Sequence, residues 1–233
     1  MCEQSIKKLA RDLTKKKGGN MRNKINCVVL LSGGLDSIVM LKMLKKEGYN
    51  LHALSIDYGQ RHKKREFKCA KKIADSEGVS HRIIRVELDK LVTRTSLINK
   101  ELDTSDASVI VPNRNMIMLS LATALAFETG SQYIAIGVNA SDYEVFPDCR
   151  KKFLSAVQKC ITIGTGADIS VLAPLLHMSK TDIVKAGSKL GVDFSITHTC
   201  YNGKKFCGTC LSCLVRQEAF KKAGIQDPLN KKK

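Results

Sequence analysis

The sequence has no run of about 18 apolar residues, so no membrane-spanning helix is expected. Its first twenty residues, MCEQSIKKLARDLTKKKGGN, lack the apolar core of a secretory signal. They could form a basic amphipathic presequence, but Glu3 and Asp12 interrupt the positive charge, and Met21 offers an alternative start. A cytoplasmic, reducing compartment is the expectation. Aromatic residues make up only 5% of the chain and do not interleave with arginine, which speaks against a surface that stacks single-stranded bases. Internal repeats and low-complexity linkers are also missing. That leaves 233 residues for one sizeable core, or a large domain with a small appendage.

Acidic residues are the other shortage. Asp and Glu number 22 against 39 Lys and Arg, a formal charge of +17. Residues 1–23 read as a basic, disordered extension and 229–233 as a basic tail, yet the body between them is basic too. Such a balance suits anionic partners such as nucleotides or RNA, unless the lysines are simply solvated. Direct nucleic-acid binding is not expected, though the charge leaves it open.

Cysteine, by contrast, is plentiful: nine residues, at 2, 27, 69, 149, 160, 200, 207, 210 and 213. In a reducing compartment they do not suggest a disulfide framework. Cys200, Cys207, Cys210 and Cys213 crowd into fourteen residues, with two Cys-x2-Cys steps sharing Cys210. Four thiolates suit a tetrahedral Zn²⁺, and such a site is coordinatively full and therefore structural. Gly203 and Gly208 permit the tight turns, and Lys204 and Lys205 offset the negative charge. An iron–sulfur cluster takes the same four ligands. A compact basic terminal module favours zinc. Cys27 and Cys69 read as small core residues.

Apolar spacing predicts strands over Asn26 to Leu31, Leu51 to Tyr58, His81 to Val86, Tyr133 to Val138 and Ser170 to Leu172. Helices are expected over 37–47, 65–77, 116–128, 148–163 and 180–190, with Gly48, Gly78, Gly130 and Gly191 as stops. The alternation describes a doubly wound parallel α/β sheet, Rossmann-like, over residues 24–195. A four-cysteine module with one helix follows over 196–228.

The first strand breaks at Ser32-Gly33-Gly34 and a helix opens at Asp36-Ser37. Glycines let backbone approach a ligand, and free N–H groups at a helix start attract anions. Two glycines between two serines exceed what an ordinary capped corner requires. The stretch is therefore read as a phosphate cradle, at the strand end where open α/β sheets bind ligands. It is neither a Walker A loop nor GxGxxG.

Ser32-Gly33-Gly34-Leu35-Asp36-Ser37 resembles the SGGxDS signature of the PP-loop ATP pyrophosphatases. Members activate a carbonyl or carboxylate with ATP and let a nitrogen or sulfur nucleophile attack. Further stretches resemble one family among them, the 7-cyano-7-deazaguanine synthases of queuosine biosynthesis. They are IDYGQRH (56–62), VPNRNMIMLSLATALA (111–126), GVNASDYEVFPDCR (137–150), APLLHMSKTDIVKAG (173–187) and the cysteine-bearing stretch 197–220. Two departures stand out: Glu144-Val145-Phe146 replaces Ser-Gly-Tyr in the presumed substrate loop, and Asn113 stands where Gly is common.

The resemblance implies a carbon–nitrogen ligase. ATP would activate 7-carboxy-7-deazaguanine, ammonia would give the amide, and a second activation would give the nitrile, in a cytoplasmic homodimer using structural Zn²⁺ and Mg²⁺ with ATP. It assigns ATP binding to Leu31, Ser32, Gly33, Gly34, Leu35, Asp36, Ser37, Ile38, Val39, Met40 and Leu41. Asp36 would orient the loop or assist Mg²⁺. Arg114 would reach phosphate or the substrate carboxylate, unless it is a surface cation. Asp142 and Asp148 would pair with the guanine-like edge, and Tyr143 or Phe146 would stack on it, although Asp148 can also cap a helix. Asp57 and His62 flank a place where adenosine could sit, a lone histidine there being more often structural. The rival readings are a PP-loop tRNA-modifying enzyme, such as a thiolase, and a non-catalytic nucleotide-binding scaffold.

Overall fold

The computed structural model describes residues 25–99, 101–102, 109–143 and 145–230. The extension expected over 1–23, Lys231 to Lys233 of the tail, and Glu144 of the substrate loop lie outside the described residues. Strand and helix alternate: β1 (Asn26–Leu30), α1 (Leu35–Lys46), β2 (Asn50–Asp57), α2 (Lys63–Glu77) and β3 (Ser80–Arg85) come first. Then follow α3 (Arg114–Thr129), β4 (Tyr133–Ala135), α4 (Lys151–Thr165), β5 (Ser170–Leu172), α5 (Lys180–Lys189) and α6 (Leu211–Ala223).

Every strand pairing is parallel, in the order β3-β2-β1-β4-β5. The chain builds outward from β1 to β3, then crosses to the other side of β1. Ligands of doubly wound sheets bind at such a reversal, beyond the carboxyl ends of the strands. The expected sheet is therefore the one found. β1 feeds two cores by simple alternation. Cys27, Val29 and Leu31 pack with Ile38, Ile73, Ile183 and Phe220, from α1, α2, α5 and α6. Val28 and Leu30 pack with Leu119, Ala122, Leu154 and Val157, from α3 and α4. A strand buried on both faces reads as an unbroken apolar run. No helix among the described residues is long and apolar enough to cross a membrane.

Some boundaries differ from expectation, each for a physical reason. The strand expected to Val138 ends at Ala135. One more hydrogen bond, Ile136 N–H to the Leu172 carbonyl at 3.0 Å, continues the ladder. Gly137 then packs against the start of α1, where a β-carbon would lie 3.6 Å from Asp36. The helix expected from Asp148 starts at Lys151, because Pro147–Cys149 form a separate 3-10 turn and Arg150 is extended. Among the described residues Asn113 is the sole non-glycine with positive φ, 58°, at the N-cap of α3. Left-handed backbone favours glycine and tolerates asparagine, which accounts for the substitution at this position.

Candidate active site and four-cysteine cluster

α1 begins one residue after the glycine pair. Its N-cap, Gly34, supplies no side-chain hydrogen bond, so the first-turn N–H groups keep no side-chain partner at the positive end of the helix dipole. Ser32 Oγ accepts from the Gly34 N–H at 3.2 Å and lies 3.3 Å from Ser37 Oγ. Ser37 Oγ donates to the Gly34 carbonyl at 3.0 Å. Gly33 has φ +78°, and a β-carbon there would stand 2.4 Å from the Glu66 carbonyl and 2.8 Å from the Ala70 nitrogen. That glycine serves the close passage of α2. Its carbonyl accepts the His198 N–H at 2.8 Å.

A cavity of about 390 Å³ opens on this loop, within the range of small-molecule sites. Ser32, Gly34, Leu35, Asp36 and Ser37 line it, with Leu31, Leu54, Ser55 and Ile56 from the carboxyl edge of the sheet. Arg114, Asp142, Phe146 and Lys180 face the same space, as do His62, Glu66, His198 and Tyr201. Lys180 is the first residue of α5, set in place by a reciprocal Ser179–Asp182 cap. Its Nζ lies 2.7 Å from Asp36 Oδ2. Burial opposes its charge, but Asp36 and Asp142 more than offset this and hold its pKa above the ordinary lysine value. Asp36 Oδ1 is buried without a partner.

Asp142 Oδ2 accepts from Asn139 Nδ2 at 2.6 Å. Burial raises its pKa, Lys180 pulls against this and Asp36 adds to it, and the net direction is up. Arg114 donates to Tyr58 Oη at 3.0 Å and lies 5.4 Å from that ring's centroid. Burial disfavours its charge, yet Tyr58 and Tyr201 keep its pKa above the ordinary value. Arg114 is thus a half-buried cation of the cavity wall.

Other expected site residues are placed elsewhere. Ile38, Val39, Met40 and Leu41 do not line the cavity. They are wholly buried in the core behind it, because this part of α1 packs against the sheet and the neighbouring helices. Asp148 Oδ2 accepts the Asn115 N–H at 3.2 Å, capping the first turn of α3 rather than facing the cavity. Tyr143 donates its hydroxyl to the Leu176 carbonyl and is likewise not part of the lining. Asp57 is held by Lys63 at 2.9 Å, Arg85 at 3.1 Å and the Gly59 N–H at 2.9 Å, and does not line the cavity.

Sequence reasoning missed Lys180, Glu66, His198, Tyr201 and Arg216. Ser179-Lys180-Thr181-Asp182 carries the spacing of a capping box at the end of the loop that follows β5, a signal that could have placed Lys180 at the ligand edge. Arg216 falls within the buried stripe of α6, with Cys213, Ala219 and Phe220, where an arginine demands a partner. Its partner is Asp227, with Nε to Oδ2 at 2.8 Å and Nη2 to Oδ1 at 2.8 Å.

The four clustered cysteines bring their Sγ atoms within 4.8 Å of one another. Cys207 Sγ and Cys213 Sγ are 3.8 Å apart. Tetrahedral bonds of about 2.3 Å put ligand sulfurs at about that spacing, so the set fits a metal ion. The Cys210 N–H donates to Cys207 Sγ at 3.3 Å and Thr209 Oγ1 lies 3.6 Å away. Burial opposes ionisation of Cys207, but the N–H groups of Cys210 and Thr209 lead the effects that outweigh it, and its pKa is lowered. His198 and Tyr201 of the cavity wall flank Cys200 in the chain, so the cluster and the cavity share a segment.

Comparison with known proteins agrees with this arrangement. The chain is 39% identical over 211 residues to the 7-cyano-7-deazaguanine synthase of Pseudoalteromonas atlantica, covering 87% of this chain and 96% of the relative. It is 42% identical over 221 residues to that of Thermoplasma acidophilum, covering 88% and 92%. The NMN synthetase of Francisella tularensis shares the fold, with a TM-score of 0.56 at 17% identity, covering 97% of this chain and 87% of that one. The family model described as queuosine biosynthesis protein QueC matches residues 26–224, which take in the glycine loop, the cavity and all four clustered cysteines. The chain belongs to the QueC family of queuosine biosynthesis.

Proposed function

We propose that this chain converts 7-carboxy-7-deazaguanine to 7-cyano-7-deazaguanine, consuming ATP and ammonia and passing through the amide. One observation carries the reading furthest. The uncapped start of α1, a natural seat for phosphate, opens into the same cavity as two half-buried cations, Arg114 and Lys180, and a half-buried carboxylate, Asp142. Neither a carboxylate oxygen nor an amide oxygen leaves at neutral pH until it is joined to a phosphate-type leaving group. The N–H groups and hydroxyls of Ser32, Gly34 and Ser37 would hold the phosphates, and Lys180 and Arg114 would neutralise charge as it develops. Asp142 would pair with the N–H and amino edge of the deazaguanine, with Phe146 against its face.

Mg²⁺ fits this chain at Asp36, whose Oδ1 is buried without a partner, with Asp142 beside it. When bound with ATP it supplies further neutralisation of phosphate charge. Zn²⁺ fits the four cysteines and has a structural role there. The same reading takes the protein to be a cytoplasmic homodimer, on the strength of family resemblance.

The test is to supply purified protein with 7-carboxy-7-deazaguanine, ATP, Mg²⁺ and ammonium and to follow the deazapurine by mass spectrometry. Amide and then nitrile are expected. ATP consumption without nitrile would move the substrate, with Val145 and Phe146 the first positions to examine. No turnover by folded, zinc-loaded protein would leave a nucleotide-binding scaffold. Turnover by Asp142→Ala equal to wild type would remove Asp142 from base recognition.

A further inference from the structure

The proposed reaction must dispose of three N–H protons. Ammonia attacks the activated carboxyl carbon, a C–N bond forms, and the nitrogen carries a positive charge. One proton must leave it before the C–O bond to the phosphate ester breaks and the amide forms. After the amide oxygen is activated, the two remaining N–H protons leave as the second C–O bond breaks and C≡N forms. Each C–O electron pair departs with the phosphate ester, and no oxidant or reductant is involved. The cavity needs a group that takes protons from nitrogen and passes them to solvent.

Most of its ionisable groups are unsuited. Lys180 and Arg114 are held charged, and Asp36 is paired with Lys180. Glu66 has both carboxylate oxygens engaged: Oε1 lies 3.3 Å from His62 Nε2 and Oε2 accepts from Gln60 Nε2 at 2.8 Å. His62 is different. It is 4% exposed, it lines the cavity, and its Nδ1 is buried with no partner. An ionised carboxylate only accepts, so Glu66 at 3.3 Å favours the neutral tautomer with its proton on Nε2, which leaves the Nδ1 lone pair free. The carboxylate behind the ring fixes this tautomer and stabilises the imidazolium as it forms, the division of labour found in carboxylate–histidine pairs. The pair also lies beside the phosphate loop, because α2, which carries Glu66, passes against Gly33. The rings of His198 and Tyr201 face His62, with centroids at 6.0 and 5.9 Å.

We infer that His62, oriented by Glu66, is the general base that removes N–H protons from the reacting nitrogen in both halves of the reaction. This rests on the reaction proposed above. A buried histidine beside a glutamate can serve packing alone, so the experiment must separate the two roles. Wild type, His62→Gln and Glu66→Gln are compared in three assays: amide formation from the acid with ammonium, nitrile formation from supplied amide, and hydroxamate formation from the acid with hydroxylamine. Hydroxylamine is uncharged at neutral pH, and its adduct sheds a proton to water without help.

For His62→Gln, amide and nitrile formation should fall by about 100-fold or more while hydroxamate formation stays within about threefold of wild type. Glu66→Gln should show the same split with smaller losses. Hydroxamate falling in step with the other two would assign His62 to structure and overturn the inference. So would amide and nitrile rates unchanged in a wild type that turns over. If wild type makes neither amide nor nitrile, the function itself fails and takes this inference with it. Should His62→Gln not fold, Glu66→Gln carries the same comparison.

Discussion

Cutting Asp227 to alanine should destabilise the protein by about 3–5 kcal/mol, the cost of leaving a buried charge uncompensated. The Arg216 and Asp227 side chains are 2% and 3% exposed, so water cannot replace either partner. The guanidinium makes two parallel bonds to Asp227, bonds Thr197 Oγ1 at 2.8 Å and Thr199 Oγ1 at 3.0 Å, and lies 5.0 Å from the Phe220 ring centroid. After Asp227→Ala the hydroxyls remain, but they are neutral acceptors, and arginine cannot shed its proton. The Leu229 N–H loses its acceptor too, at 3.0 Å. By contrast, Arg216→Met combined with Asp227→Leu should be close to neutral, because the charge and its counter-charge leave together. Urea unfolding reads both, and the thermal midpoint should fall by about 6–20 °C for the single variant. A loss below about 1 kcal/mol would mean that the pair is worth no more than a surface one. Thr197 and Thr199 flank His198, whose N–H holds Gly33, so ATP binding should weaken in Asp227→Ala even where the protein stays folded.

Asp57 gives a pH prediction. Burial alone would raise its pKa, but Lys63, the Gly59 N–H and Arg85 outweigh burial and lower it. Its stabilisation is therefore complete above the unfolded aspartate value of about 3.9 and is lost as pH falls through the lower folded value. Asp57→Asn should flatten that acid limb in urea midpoints, and an unchanged limb would show that the ion pairs contribute nothing. Gly33→Ala should cost more than the about 1–3 kcal/mol of left-handed backbone alone, because its β-carbon meets the backbone of α2. Gly48→Ala, at φ +91° with nothing within 4 Å, isolates the backbone cost, and equal losses would contradict the tight contact. Treatment with a metal chelator should weaken ATP binding as well as lower the thermal midpoint, because His198 and Tyr201 lie on either side of Cys200. Calorimetric ATP affinity that survives chelation would uncouple the two.

The sheet was legible because its signals are local. β1 is buried on both faces and so reads as unbroken apolar sequence, and Gly78 and Gly130 close helices in left-handed conformation as glycines do. The glycine loop was legible for the same reason, but the division of labour inside it was not. Gly33 is fixed by α2, more than thirty residues away, and nothing in Ser-Gly-Gly distinguishes it from Gly34. Aspartates were the least legible residues of the site. A carboxylate that can pair with a base can equally cap a helix or hold a lysine, and Asp148 and Asp57 do the latter two. Lys180 was hard to single out among 39 cations: the Ser179–Asp182 cap could place it at a helix start, but only its contact with Asp36, 144 residues away, ties it to the loop.

These long-range contacts connect the cysteine cluster to the nucleotide loop. Arg216, on the helix that carries Cys213, holds Thr197 and Thr199. Between those threonines His198 donates to Gly33, and Gly33 is pressed on its other side by α2, which carries Glu66. Cys200 and Cys213 are fully buried at the far end of this series. A metal held by these four sulfurs would have no open position for substrate, yet it would fix the segment that forms one wall of the cavity. A coordinatively full site can therefore govern catalysis without touching a reacting atom. Its influence would pass through the backbone between Thr197 and Tyr201, which belongs to the cysteine cluster and to the cavity wall at once.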